Sequence, residues 1–291
     1  MEEQMQTQTL QTQQQIDIYL IRHAESCENV LDTNIDKSTF PYEPLLSTTG
    51  ILQSFMLREY LHSKPIKYDK VLSSSLMRTI MTSMITLCSI DTLNTNVIYV
   101  IPFVKTIKND TAQIQVNCVG DLKKKINHFK KWFGKYGGSI YNLFLSIHQR
   151  CHHQSSNMDN KVIQFNFPRI DYQILQKYEN ERSRNKSSSK EQFDDYISHL
   201  SSNITSMIVF THKTFIMEMT DTDTPPKNTS ITMVSLHNDG PIRKYYNPKP
   251  LRHYNRRIRK LQRSNNKLDM CIPYTARKHK PRNSKRTQRK K

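Results

Sequence analysis

IDIYLIRHAESCEN, residues 16–29, changes character at one point. Ile16, Ile18, Leu20 and Ile21 are branched apolar residues that favour a buried strand, and the polarity switches abruptly at Arg22. The switch predicts a strand's C-terminal end, and in open α/β sheets ligands bind in the crevice outside those ends. Arg22-His23 thus sets a permanent cation and a nucleophile-capable imidazole where a phosphate site can begin. A buried His beside an Arg is also a common structural pair, so the choice rests on residues further along the chain.

Ser47-Thr48-Thr49-Gly50 offers N-cap hydroxyls to a helix whose apolar residues Leu52, Phe55, Met56 and Tyr60 fall at i, i+3, i+4 and i+8, with Lys64-Pro65 ending it. Residues 69–74 read as a short strand, residues 76–87 as a helix and residues 97–104 as another strand. This βαβαβ rhythm predicts an α/β fold with a mostly parallel sheet covered by helices. Leu122, Ile126, Phe129 and Phe133 recur among five lysines, an amphipathic helix with a basic outer face that the Gly137-Gly138 pair is expected to break. Polar stretches at 151–160 and 183–190 read as surface loops. Phe193, Ile197, Leu200 and Ile204 predict one more amphipathic helix before a buried strand, residues 207–210, that ends at Thr211-His212. A second strand thereby delivers a histidine to its carboxyl end. Residues 231–236 and 242–246 are expected to add edge strands.

A chain of 291 residues with 36% hydrophobic content can bury a full core. With six glycines and neither a G-x-G-x-x-G nor a P-loop pattern, it lacks a nucleotide-binding fingerprint. It has no apolar run of about 18 residues and no signal-peptide pattern, so a soluble, cytoplasmic protein without a membrane partner is expected. Cys27, Cys88, Cys118, Cys151 and Cys271 are odd in number and scattered, and are expected to be free thiols. Residues 251–291 hold 16 Lys/Arg against the single Asp269, a net +15 of the chain's +19, which leaves +4 for the first 250 residues. The expected organisation is a disordered Gln/Thr-rich leader (1–15), a folded domain (16–246) and a disordered basic tail (247–291). The tail's functional option is nucleic acid or another polyanion, and it admits a nuclear location.

Four motifs accumulate along the folded part: Arg22-His23-Ala24-Glu25-Ser26-x-x-Asn29, Leu46-Ser47-x-x-Gly50-x-x-Gln53, Ser73-Ser74-x-Leu76-x-Arg78-Thr79-x-x-Thr82, and Thr211-His212 at a strand end. In this order they resemble the histidine phosphatase superfamily, in its phosphoglycerate mutase-like branch, over residues 16–236. The resemblance implies a three-layer α/β/α sandwich with one phosphate pocket, acting as a phosphatase on small phosphorylated substrates. His23 matches the nucleophile that becomes a phosphohistidine. Arg22, Arg78 and His212 match the cationic cradle around the phosphoryl group, and Asn29, with Ser26, the polar substrate contacts. Phosphoryl transfer is mostly positioning plus charge stabilisation, so guanidinium forks and a neutral imidazole held in line are the parts it needs. No metal or cofactor is required when arginines supply the positive charge.

Two positions depart from the family pattern. Lys213 follows the second histidine where the family carries Gly, and a side chain there either adds a phosphate contact or crowds the pocket. The acid that protonates the leaving oxygen, a Glu after the third strand in this branch, is missing around residues 102–106, and no Glu occurs between Glu59 and Glu179. Asp110 is the nearest carboxylate in sequence; the phytase-like branch puts its acid where Lys213 stands. His148, Cys151, His152 and His153 lack a second ligand pair at zinc-site spacing, so no metal site is expected. Two function classes stay open. One is a phosphohydrolase; the other is a catalytically weak or inactive member of the fold that binds phosphate or a partner, with the tail as its working part. Mutase chemistry is a third option, for which the sequence identifies no second substrate pocket.

Overall fold

A computed structural model describes residues 15–30, 44–64, 66–104, 118–152, 163–181, 188–200, 203–237 and 240–246, with Arg256 alone beyond them. Asp110, nearly all of the leader and the tail apart from Arg256 lie outside the described residues.

Strand β1 (Ile16–Arg22) is the centre of the site-bearing half of the sheet. It pairs in parallel with β7 (Ser206–Thr211) and antiparallel with β8 (Ile231–His237). Beyond β7 run β2 (Lys70–Ser74), β4 (Val97–Ile101) and β6 (Arg169–Asp171), all parallel. β9 (Gly240–Tyr246) closes the other side, giving the order β6-β4-β2-β7-β1-β8-β9. A separate two-stranded ladder joins β3 (Ser89–Ile90) to β5 (Phe165–Asn166).

Side chains alternate across each strand, and the alternation sorts the core into two layers. Ile21, Val71, Ile98, Val100, Ile208 and Phe210 pack under α2 (Thr48–Ser63), α3 (Met77–Thr86) and α4 (Val119–His152). Ile18, Leu20, Leu72, Met207 and Val209 pack under α6 (Ser189–Ser198) and α7 (Lys213–Thr220). The result is the mostly parallel three-layer α/β/α sandwich that the motifs imply. Among the described residues no helix is long and apolar enough to cross a membrane.

The expected break at Gly137-Gly138 does not occur, because α4 runs through it as a single helix of 34 residues. Two glycines cost a helix about 1 kcal/mol each. Burying Phe144 and Ile147 beyond them returns roughly 1.5–3 kcal/mol apiece, so continuation wins. Gly137 is also a packing requirement, since a Cβ there would stand 2.5 Å from the Phe133 ring. His148 belongs to α4 and stacks on Phe144, with ring centroids 5.4 Å apart, in a stretch adjoining the expected loop. Several short elements escape the periodicity reading, among them β3, β5, β6 and α5 (Gln173–Glu181). Leu200 and Ile204 lie past the end of α6 but still pack on the core. β8 is an interior strand rather than an edge, since it is hydrogen-bonded on both sides. Cys88 and Cys118 are free thiols as expected, whereas Cys27 is disulfide-bonded.

Candidate functional site

Strand register brings the two histidines together. Arg22 at the end of β1 stands opposite Thr211 at the end of β7, so the next residue of each strand, His23 and His212, leaves the sheet side by side. The His23 N–H still donates to Thr211 O at 3.0 Å, and the two rings are 5.2 Å apart centre to centre. β2 flanks β7 on the other side, and its last residue, Ser74, places Oγ 3.0 Å from His212 Nε2. The turn after β2 leads into α3, whose first turn carries Arg78. Three neighbouring parallel strands thus deliver His23, His212 and Arg78 to one crevice.

The motif residues around His23 turn out to be fasteners of its loop. Ala24 N–H donates to Thr82 Oγ1 (3.0 Å) and Glu25 N–H to Gln53 Oε1 (2.9 Å). Ser47 caps α2 by accepting from Gly50 N–H, and its hydroxyl donates to Glu25 Oε1 at 2.9 Å. Gly50 has no alternative here, because a Cβ would lie 2.0 Å from Glu25 O. A polar loop leaving a buried strand must find partners for its amides, and α2 and α3 supply them.

Ser26 is buried, and both its N–H and its hydroxyl donate to Asn29 Oδ1 at 3.0 Å. Asn29 is exposed within the chain's first short helix, α1 (Cys27–Val30). Lys213 opens α7 and is exposed. Val104 O accepts from Thr211 Oγ1 at 3.1 Å, so the chain leaves the site's edge just before the segment that contains Asp110.

Sequence reasoning missed the segment that braces Arg22 and His23. Arg22 Nη1 donates to Pro226 O at 2.6 Å, and Asn228 Nδ2 donates to His23 O at 3.1 Å and approaches Asn29 Oδ1 at 3.5 Å. Thr229, in the left-handed region at φ 56°, donates its N–H to Arg22 O. The available signal was the Pro225-Pro226-Lys227-Asn228 turn just ahead of β8. Only the pairing of β8 with β1 shows what that turn sits beside.

The electrostatics are one-sided. Burial, then the Arg78 guanidinium, then Arg22 push the His23 imidazole well below its ordinary pKa, against the opposing bond to Ala24 O. His212 is pushed well down by burial first, then by Arg78, His23 and Arg22. Arg22 itself is lowered by burial and by Arg78. No carboxylate is among the charges acting on either histidine. Two orphaned nitrogens, Arg22 Nε and His212 Nδ1, are buried without a hydrogen-bond partner among the described residues. Two neutral imidazoles, two guanidiniums and unmet donors make a pocket complementary to a multiply charged oxyanion. Among the described residues no group of three His, Cys, Asp or Glu side chains is arranged to hold a metal ion.

No family model and no curated protein matches the sequence. Among solved structures the chain is similar to phosphoserine phosphatase from Entamoeba histolytica in complex with 3-phosphoglyceric acid, at 18% identity and TM-score 0.41, over 81% of this chain and 99% of that one. It is similar to alpha-ribazole phosphatase from Shigella flexneri at 15% identity and TM-score 0.43, over 80% and 96%. A phosphoglycerate mutase from Bacillus anthracis matches at 15% identity and TM-score 0.38, over 84% and 97%.

Proposed function

We propose that the protein is a phosphohydrolase that cleaves small phosphate esters through a phosphohistidine at His23. The observation that carries this reading is the 2.7 Å hydrogen bond between His23 Nδ1 and Ala24 O. A carbonyl oxygen only accepts, so Nδ1 holds the hydrogen, and in a ring kept neutral Nε2 is left with a free lone pair. In the proposed reaction that pair forms a bond to the substrate phosphorus while the bond to the leaving oxygen breaks and its electrons depart with that oxygen. Water then attacks the phosphohistidine, releasing inorganic phosphate and restoring the lone pair on Nε2.

Arg22 and Arg78 carry the charge on the equatorial oxygens, where a guanidinium fork matches two acceptors at once. His212 receives the Ser74 hydroxyl on Nε2 and offers Nδ1–H to the same oxygens. Asn29, its Oδ1 engaged by Ser26, turns its amide NH2 to the substrate, and Lys213 lies at the mouth as a further cation.

Asp110, the nearest carboxylate in sequence, is the remaining option for the leaving-group acid. A positioned acid is worth about 10²–10⁴ in rate, chiefly for poor leaving groups. Without one, rate depends steeply on leaving-group pKa, and aryl or acyl phosphates turn over far faster than alkyl phosphates. Kinetics across a series of phosphate esters test this. A flat series made steep by Asp110→Asn identifies Asp110 as the acid. No turnover of even the most activated aryl phosphate overturns the phosphohydrolase reading in favour of a binding protein.

A further inference from the structure

We propose that the outer face of α4 is a binding surface for single-stranded nucleic acid, separate from both the phosphate pocket and the basic tail. The helix is oriented by its buried stripe, Leu122, Ile126, Phe129, Phe133, Phe144 and Ile147. At 100° per residue the exposed Lys124, Lys131 and Lys135 lie opposite that stripe and the exposed Lys123 and Lys130 on its flank, together within one arc of about 140° and about 18 Å long at 1.5 Å per residue. Asp121 is the one carboxylate within α4, and none of these five lysines has an ion-pair partner among the described residues. A rigid row of unneutralised cations over that length suits a run of phosphates.

An aromatic pair borders the row. Trp132 and Tyr136, one turn apart, have ring centroids 5.4 Å apart, and Tyr136 keeps 42% of its surface exposed. Lys135 Nζ lies 5.0 Å from the centre of the Tyr136 ring. Cations tracking a backbone beside an exposed ring on which a base can stack are the two parts of single-strand recognition. A duplex keeps its base faces covered and leaves the ring idle. The chain's own tail at +15, and a second copy at +19, carry the same sign as the helix and are repelled from it.

Trp132 is the chain's only tryptophan, so its fluorescence reports on α4 without contribution from the tail. The full chain is titrated with oligo(dT) and with oligo(rU), each of about 20 nucleotides, with Trp emission and the anisotropy of a labelled strand followed together. The expected result is saturable quenching with both strands that coincides with the anisotropy change. Lys124→Glu/Lys130→Glu/Lys131→Glu, its fold checked by circular dichroism, reduces the magnitude of the log K against log salt slope by about 2, from three lost contacts at ~0.7 each. Tyr136→Ser weakens binding roughly tenfold. Anisotropy without quenching, or quenching unmoved by the triple variant, overturns the proposal and leaves the tail as the binding element. Equal quenching by polyglutamate, insensitive to Tyr136→Ser, overturns it in favour of an acidic protein partner.

Discussion

His23 and His212 leave adjacent parallel strands at the same level of the sheet, yet their rings are anchored through opposite nitrogens. His23 is tied at Nδ1 to the carbonyl of its own neighbour, Ala24, which frees Nε2. His212 is tied at Nε2 to Ser74 from the next strand, and its Nδ1 has no partner among the described residues. Both are buried beside the same two arginines and both are held neutral. Environment alone therefore does not separate their roles. The anchored atom does: a carbonyl anchor makes a ring with a free lone pair, while a hydroxyl anchor can donate and leave the ring its proton. In the proposed reaction one strand end attacks and the other stabilises.

Unequal losses are expected when the pair is taken apart. His23→Ala lowers turnover of an aryl phosphate by roughly 10⁴-fold or more, as removal of a nucleophile does. His212→Ala costs about 10²–10³, the loss for one donor to a developing oxyanion. Equal losses in kcat would break the distinction between the two strand ends. Arg78 serves both rings, so Arg78→Ala costs about 10²–10³ in kcat/KM, and Arg78→Lys restores part of it by keeping the charge while losing the fork. Full recovery with lysine would show that charge alone matters there.

The pH dependence of stability sharpens the same comparison at smaller amplitude. Both rings have folded pKa values below the ordinary histidine value of about 6.5, so below that pH the unfolded chain binds protons that the native chain refuses. Their contribution is fully present above about pH 6.5 and is lost as pH falls toward the depressed folded values. Urea midpoints measured from pH 7.5 down to 5.5 should decline in the wild type, and His23→Gln or His212→Gln should each remove part of the decline. An unchanged slope in either variant contradicts its buried, neutral state.

Much of this site was readable before the fold. Arg22, His23 and His212 stand where local pattern marks a strand's end, while Arg78 was legible only through the motif that carries the family resemblance. Gln53, Thr82 and Ser47 were recognisable as motif members, but their work as fasteners of the His23 loop appears only when α2 and α3 are packed. Asn228 was invisible, because its contact with His23 spans 205 residues and depends on β8 pairing with β1. The same limit explains the missed interior position of β8. At Gly137-Gly138 local propensity pointed the wrong way, because the apolar stripe that overrides it, Tyr141, Phe144 and Ile147, has force only against α2 and the core.

The most direct test is to trap the intermediate. The full-length protein is exposed briefly to an acyl or aryl phosphate, quenched in base, digested, and the peptide containing His23 is weighed. The account predicts an acid-labile, base-stable phosphoryl adduct on His23 that is absent from His23→Ala and still formed, more slowly, by His212→Ala. An adduct located on His212, or turnover that persists in His23→Ala with no adduct on the His23 peptide of the wild type, would contradict the assignment of His23 as the nucleophile.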